Sequence, residues 1–164
     1  MKRLLTLIFL VGINVSLSAG EVEDYRKACD AGMATGCKGL GDFYYTDKGV
    51  KQDYFAAANY YGKACASNYV SGCSALAFMY EEGQGVKQDY VKAVKLYAKA
   101  CVGYDFKGCH RSGIMYKKGL GGTEQNFLKA KEFFIKACTD GDPRVPEIYE
   151  ELFGGQAAKS RWNK

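Results

Sequence analysis

Six of the seven cysteines stand in three pairs of one spacing: Cys29 and Cys37, Cys65 and Cys73, Cys101 and Cys109. Each pair is Cys-x7-Cys, and the pairs begin 36 residues apart, at positions 29, 65 and 101. Cys138 follows 37 residues after Cys101, and Pro146 stands where its mate would fall. A period of this size means stacked units, each unable to bury its apolar face alone. The neighbouring residues keep the register. Ala58 to Cys65 (Ala-Asn-Tyr-Tyr-Gly-Lys-Ala-Cys) aligns with Val94 to Cys101 and with Lys131 to Cys138. Tyr25 to Cys29 is a truncated first copy, and Gly49 to Tyr54 recurs as Gly85 to Tyr90. In the third copy, Gly121 to Phe127 carries one extra residue, which accounts for the longer step.

Each unit reads as two helices. Tyr69, Cys73, Leu76, Ala77 and Tyr80 lie on one helical stripe. Gly83 and Gly119 follow such stripes and suit the left-handed conformation that ends a helix. Asp53, Asp89 and Asn126 are placed to accept hydrogen bonds from the first turn of the second helix. The buried face of that helix is predicted at Tyr90, Ala93, Val94, Tyr97, Ala100 and Cys101. Gly32, Asn68 and Gly141, each three residues past a repeat cysteine, suit its C-cap. No strand-like alternation runs for more than a few residues.

Each cysteine pair therefore spans the end of one helix and the start of the next, within reach of a disulfide. Loop entropy gives about 2.5 kcal/mol for a closed loop of this size. Zinc is the rival reading. Equivalent positions in stacked helix pairs lie about 10 Å apart, too far for one tetrahedral site with sulfur at about 2.3 Å. The expected bridges are Cys29–Cys37, Cys65–Cys73 and Cys101–Cys109, with Cys138 left as a free or intermolecular thiol. No metal and no cofactor are expected.

Residues 1–20 have the layout of a secretory signal peptide: Lys2 and Arg3, an apolar run from Leu4, and a small-residue end at Ser18-Ala19-Gly20. The apolar run is shorter than the about 20 residues a spanning helix needs. Export and disulfides agree, because disulfides persist outside the reducing cytosol. The expected location is the periplasm or the exterior, with no membrane association after cleavage. Cleavage removes two of the 23 basic residues, leaving 21 against 18 acidic ones. These charges are scattered and form no Lys/Arg stripe, so nucleic acid is not an expected partner.

The units resemble Sel1-like repeats, the tetratricopeptide-related helical hairpins, at Met79-Tyr80, Gly83-x-Gly85-Val86, Asp89-Tyr90, Lys92-Ala93, Tyr97 and Lys99-Ala100. The Cys-x7-Cys spacing is similar to that of the Helicobacter cysteine-rich protein family. The resemblance covers about residues 21–153. It implies an all-α, right-handed α/α solenoid stapled by disulfides, with a partial first unit and units near 33–68, 69–104 and 105–141. A capping helix is expected over 142–153, carrying Tyr149, Leu152 and Phe153, and a frayed tail over 154–164. Asp47 departs from the pattern in place of a loop glycine, as Pro146 does in place of a cysteine.

The function expected from the repeats is an exported scaffold that binds a protein, a peptide or a cell-wall glycan fragment. The chain is expected to be a monomer, or a dimer linked through Cys138. The family resemblance implies an alternative, β-lactam binding with weak β-lactamase activity. The serine machinery for that reaction (Ser-x-x-Lys, Ser-Asp-Asn and Lys-Thr-Gly) does not occur. The nearest string is Thr35-Gly36-Cys37-Lys38. His110 is the single histidine and reads as a surface residue. Cys138 has Lys136 nearby but no evident base, so it reads as the remnant of the cysteine pattern. The Gly83-Gln84-Gly85 and Gly119-Leu120-Gly121-Gly122 loops lack a P-loop ending and read as turns between helices. No catalytic residue is expected. Among the aromatic residues, Tyr44, Tyr80 and Tyr116 recur in register and read as packing. Tyr45 and Tyr104 are less regular and are the candidates for a binding face.

Overall fold

The computed structural model describes residues 20–122 and 124–139, without the side chains of 138 and 139. Helical backbone over residues 20–30 forms α1. It is followed by α2 (Ala34–Thr46), α3 (Tyr54–Ala66), α4 (Val70–Glu82), α5 (Tyr90–Val102), α6 (Phe106–Lys118) and α7 (Phe127–Thr139). No strand occurs among the described residues. From α2 onward each helix packs on the next, and α5 also touches α7. The result is an α/α solenoid of three complete hairpins, α2–α3, α4–α5 and α6–α7. Residues 1–19, the expected capping helix and the tail lie outside the described residues.

The hairpins are built by local chemistry. Asp53 Oδ1 accepts from the Ala56 N–H at 2.9 Å, Asp89 from Lys92 at 3.0 Å, and Asn126 from Lys129 at 2.9 Å. The backbone N–H groups of the same three residues donate to the carbonyls of Tyr44, Tyr80 and Tyr116, each at 2.9 Å. This closes the loop between the helices of a hairpin, and the extra residue of the third copy leaves the closure intact. Gly83 and Gly119 end their helices at φ 70° and 66°. Asp47 adopts φ 58° at the equivalent place, and its carboxylate accepts from the Gln52 N–H at 2.9 Å. That local bond is the physical reason an aspartate can stand in for glycine here.

The core is thin and built from small residues. Ala57 and Ala58, Ala93 and Val94, and Ala130 bring each second helix close to its partner. Large rings fill the rest: Tyr61 lies against Gly41, and Phe134 against Gly113, where any side chain would meet the ring within 2.6–2.9 Å. The predicted stripe of α5 is buried, apart from half-buried Tyr90. In α4 the buried residues are Gly72, Cys73, Ala77 and Met79, whereas Leu76 and Tyr80 are only half-buried. The stripe read from the sequence is shifted because α4 packs between two helices and buries two sides.

Candidate interaction surface

Among the described residues, the turns between hairpins are the places closed by covalent bridges. Cys29, Cys65 and Cys101 are bridged to Cys37, Cys73 and Cys109, with Cα–Cα distances of 4.4, 4.5 and 4.5 Å. So close an approach leaves no room for a side chain just before the second cysteine. A Cβ on Gly36 would lie 2.6 Å from that of Ala28; on Gly72, 2.7 Å from that of Ala64; on Gly108, 2.9 Å from that of Ala100. This Ala-Cys/Gly-Cys match recurs in the same register as the cysteines, but its meaning shows only once the two helix ends are brought together. A lysine completes one seam: Lys99 Nζ donates to the Cys65 carbonyl at 3.0 Å, beside the Asn68 N–H, which donates to the same oxygen at 3.0 Å.

Half-buried positions along α2, α4 and α6 form one layer, and here the repeats differ. Successive equivalent positions carry Lys38, Ser74 and His110; Asp42, Phe78 and Ile114; Tyr45, Glu81 and Lys117. These groups are held by neighbours. Lys38 pairs with Asp42 at 2.6 Å. Ser74 donates to Asp105, whose carboxylate also caps α6. Arg111 pairs with Glu81 at 3.2 Å, and its guanidinium lies 5.8 Å from the centre of the Phe78 ring. Tyrosine hydroxyls support the layer from behind. Tyr61 donates to Asp42 at 2.9 Å, and Tyr97 donates to Glu81 at 2.7 Å. Burial and then the facing carboxylate push both phenols well above the ordinary tyrosine range. Periodicity did not reveal these pairs, because Asp42 and Glu81 occupy different register positions.

Of the two aromatic candidates, Tyr45 is half-buried, with its ring 5.3 Å from that of Tyr54. Tyr104 is 75% exposed. They lie at opposite ends of the hairpins, Tyr45 at the close of α2 and Tyr104 in the turn after α5, so no single site joins them. Tyr104 occupies the left-handed conformation that Gly32 and Asn68 adopt in the other turns, at φ 67°. The Lys136 ammonium lies 5.4 Å from the centre of its ring. The packing role read for Tyr44 and Tyr116 is visible: their rings stack on Tyr60 at 5.6 Å and on Phe133 at 5.3 Å.

The residues weighed for catalysis are not assembled. Cys37 of the Thr35–Lys38 string is in a disulfide, and Lys38 is held by Asp42. His110 is half-buried with its ring 5.8 Å from that of Phe134, a correction to its reading as a surface residue. It is drawn in because Gly113 lets the Phe134 ring reach α6. Cys138 lies on α7, and its side chain is outside the described atoms. Among the described residues no group of three or more His, Cys, Asp or Glu side chains is placed to hold a metal ion. None of the helices there is long and apolar enough to cross a membrane. Both glycine loops are turns, and Gly85 and Gly121 pack their backbone against Tyr54 and Tyr90 of the preceding hairpin.

The Sel1 repeat family model matches residues 34–69, 70–101 and 107–142. This chain belongs to the Sel1 repeat family. Solved Sel1 structures agree with the fold. Cysteine-rich protein B of Helicobacter pylori is 32% identical with a TM-score of 0.62, over 77% of this chain and 90% of that one. A protective antigen of uropathogenic Escherichia coli with an SLR fold is 28% identical with a TM-score of 0.75, over 85% of this chain but 30% of the antigen. A Sel1 repeat protein of Oxalobacter formigenes, at 24% identity and a TM-score of 0.72, shares the fold over 84% of this chain and 57% of its own. The chain thus spans less than two thirds of the last two proteins. Comparison with curated protein sequences gives no significant match. Three disulfides in a Sel1 solenoid fit an oxidising, extracytoplasmic compartment.

Proposed function

We propose that this Sel1 protein is an exported scaffold, with residues 1–20 as a cleaved leader, whose α2–α4–α6 layer recognises a protein partner. One observation carries the reading. Residues that repeat in register are committed to caps, stacks and staples, whereas the half-buried positions of the layer change chemistry from unit to unit. Side chains that are free to vary while their backbone is fixed are the usual form of a recognition surface on a solenoid. The Arg111–Glu81 pair and the Tyr61 and Tyr97 hydroxyls hold the charged members in place, which lowers the ordering cost of binding. No specific observation favours β-lactam hydrolysis.

The test is capture from a cell-envelope extract with the oxidised protein as bait, beside a Phe78→Ser/Arg111→Glu variant of unchanged helicity. A protein retained by the wild type and depleted tenfold or more on the variant supports the reading. Equal retention by both places recognition elsewhere and ends it. The leader is checked by the mass of the protein isolated from its host, which should lack residues 1–20.

A further inference from the structure

The outer face of α3 carries an open groove of about 500 Å³. It runs from Phe55 past Gly62 to Ala66, beside Leu76 of α4 and Val86 of the following loop. At the helical rise this is about 16 Å, the length of roughly five residues of extended chain.

Gly62 is the informative residue. It lies in the interior of α3, where glycine is the least favourable residue apart from proline. Inside α2, α4 and α6 a glycine is required by a close neighbour: at Gly36, Gly41, Gly72, Gly108 and Gly113 a Cβ would fall within 2.9 Å of another residue. A Cβ on Gly62 would meet only the Leu76 side chain, at 4.0 Å, an ordinary contact. Packing therefore gives no reason for glycine here. The equivalent positions of the later hairpins carry Ala98 and Ile135, and those matching Ala66 and Leu76 in the next hairpin carry Val102 and Ser112. Among the described residues, only the junction of the first and second hairpins combines a glycine floor with a leucine wall. Phe55 stands 71% exposed at one end. The charged group on the rim is Lys63, and no carboxylate lines the groove. An apolar trough with one cation and no anion is complementary to a ligand that is apolar along its length and acidic at one point.

We propose that this groove is a second docking site, for an extended peptide segment of a partner that seats an apolar side chain over Gly62 and sets a neighbouring carboxylate on Lys63. Gly62 keeps the trough open at the expense of helix stability. The groove shares no lining residue with the positions named in the α2–α4–α6 layer and does not depend on the reading of that layer.

The experiment is selection of a random twelve-residue peptide library on the oxidised protein, followed by affinity measurement of the enriched peptides on variants. Enriched peptides should pair bulky apolar residues with an acidic one. They should lose tenfold or more in affinity on Gly62→Phe and on Lys63→Glu, and keep it on Phe78→Ser. Gly62→Ala should raise Tm while weakening the same peptides, an opposition that a purely structural glycine would not show. Lys63→Glu changes an exposed side chain and serves if Gly62→Phe does not fold. The proposal is overturned by a library with no enrichment, or by peptides indifferent to both variants. Loss on Phe78→Ser alone would move the peptides to the α2–α4–α6 layer and overturn it too. Displacement of the peptides by dodecanoate at equal concentration would make the occupant an acyl chain and reject a peptide one.

Discussion

At the scale of single residues, the glycines before the second cysteines carry more of the architecture than their size implies. The Gly36 site is closed by Ala28 and by the Cys29 backbone nitrogen, 2.6 and 2.7 Å from where a Cβ would stand. Backbone cannot move aside as a side chain can. Gly36→Ala should therefore lower stability by about 1–3 kcal/mol, read as a lower urea midpoint at unchanged slope. A change below 0.5 kcal/mol would mean that the turn opens freely. Tyr104 predicts the reverse. A bulky residue at φ 67° is strained, and asparagine, which Asn68 shows to be at home in the same turn, relieves part of that strain. Tyr104→Asn should raise stability by about 1 kcal/mol. A loss would show that the contact with Lys136 outweighs the backbone cost.

At the scale of helices and turns, what the sequence made legible was the local chemistry. Asp53, Asp89 and Asn126 cap helices, and Gly83 and Gly119 end them, because each act involves atoms only a few residues apart. The three bridges were legible for the same reason, at a separation of eight residues. Contacts that depend on which helix lies beside which were not. The half-burial of Leu76, the ring of Phe134 beside His110, and the Tyr61–Asp42 and Tyr97–Glu81 bonds follow from packing between elements. The groove over Gly62 needed both neighbours of α3 to be placed. Replacing Cys65 and Cys73 by alanine should cost about 2.5 kcal/mol, the loop-closure value, measured under non-reducing conditions. A loss near zero would mean that the Gly72–Ala64 contact alone holds the turn.

Across the whole molecule, hairpins that touch mainly their neighbours share one pH response. The phenols of Tyr61 and Tyr97, in different hairpins, have their pKa raised by burial and by a facing carboxylate. In the unfolded chain they ionise near pH 10. A raised folded value means the stabilisation is complete below that pH and is lost as the pH climbs beyond it. Tm should stay level from pH 8 to about 9.5 and then fall, with each phenol contributing up to about 1.4 kcal/mol per pH unit. The Tyr61→Phe/Tyr97→Phe variant should show a shallower fall. An unchanged slope would assign the alkaline loss to other groups.

The placement of the bridges also decides how the protein withstands a protease. Lys107 is exposed and lies between Cys101 and Cys109, so a cut after it leaves both pieces tied through sulfur, and a non-reducing gel would show one band. Lys87 is exposed in the loop between α4 and α5, outside every bridged interval, and a cut there has no sulfur tie across it. Exposed lysines of similar chemistry thus differ in consequence: a nick at the turn is survivable, and a nick at the loop severs the array.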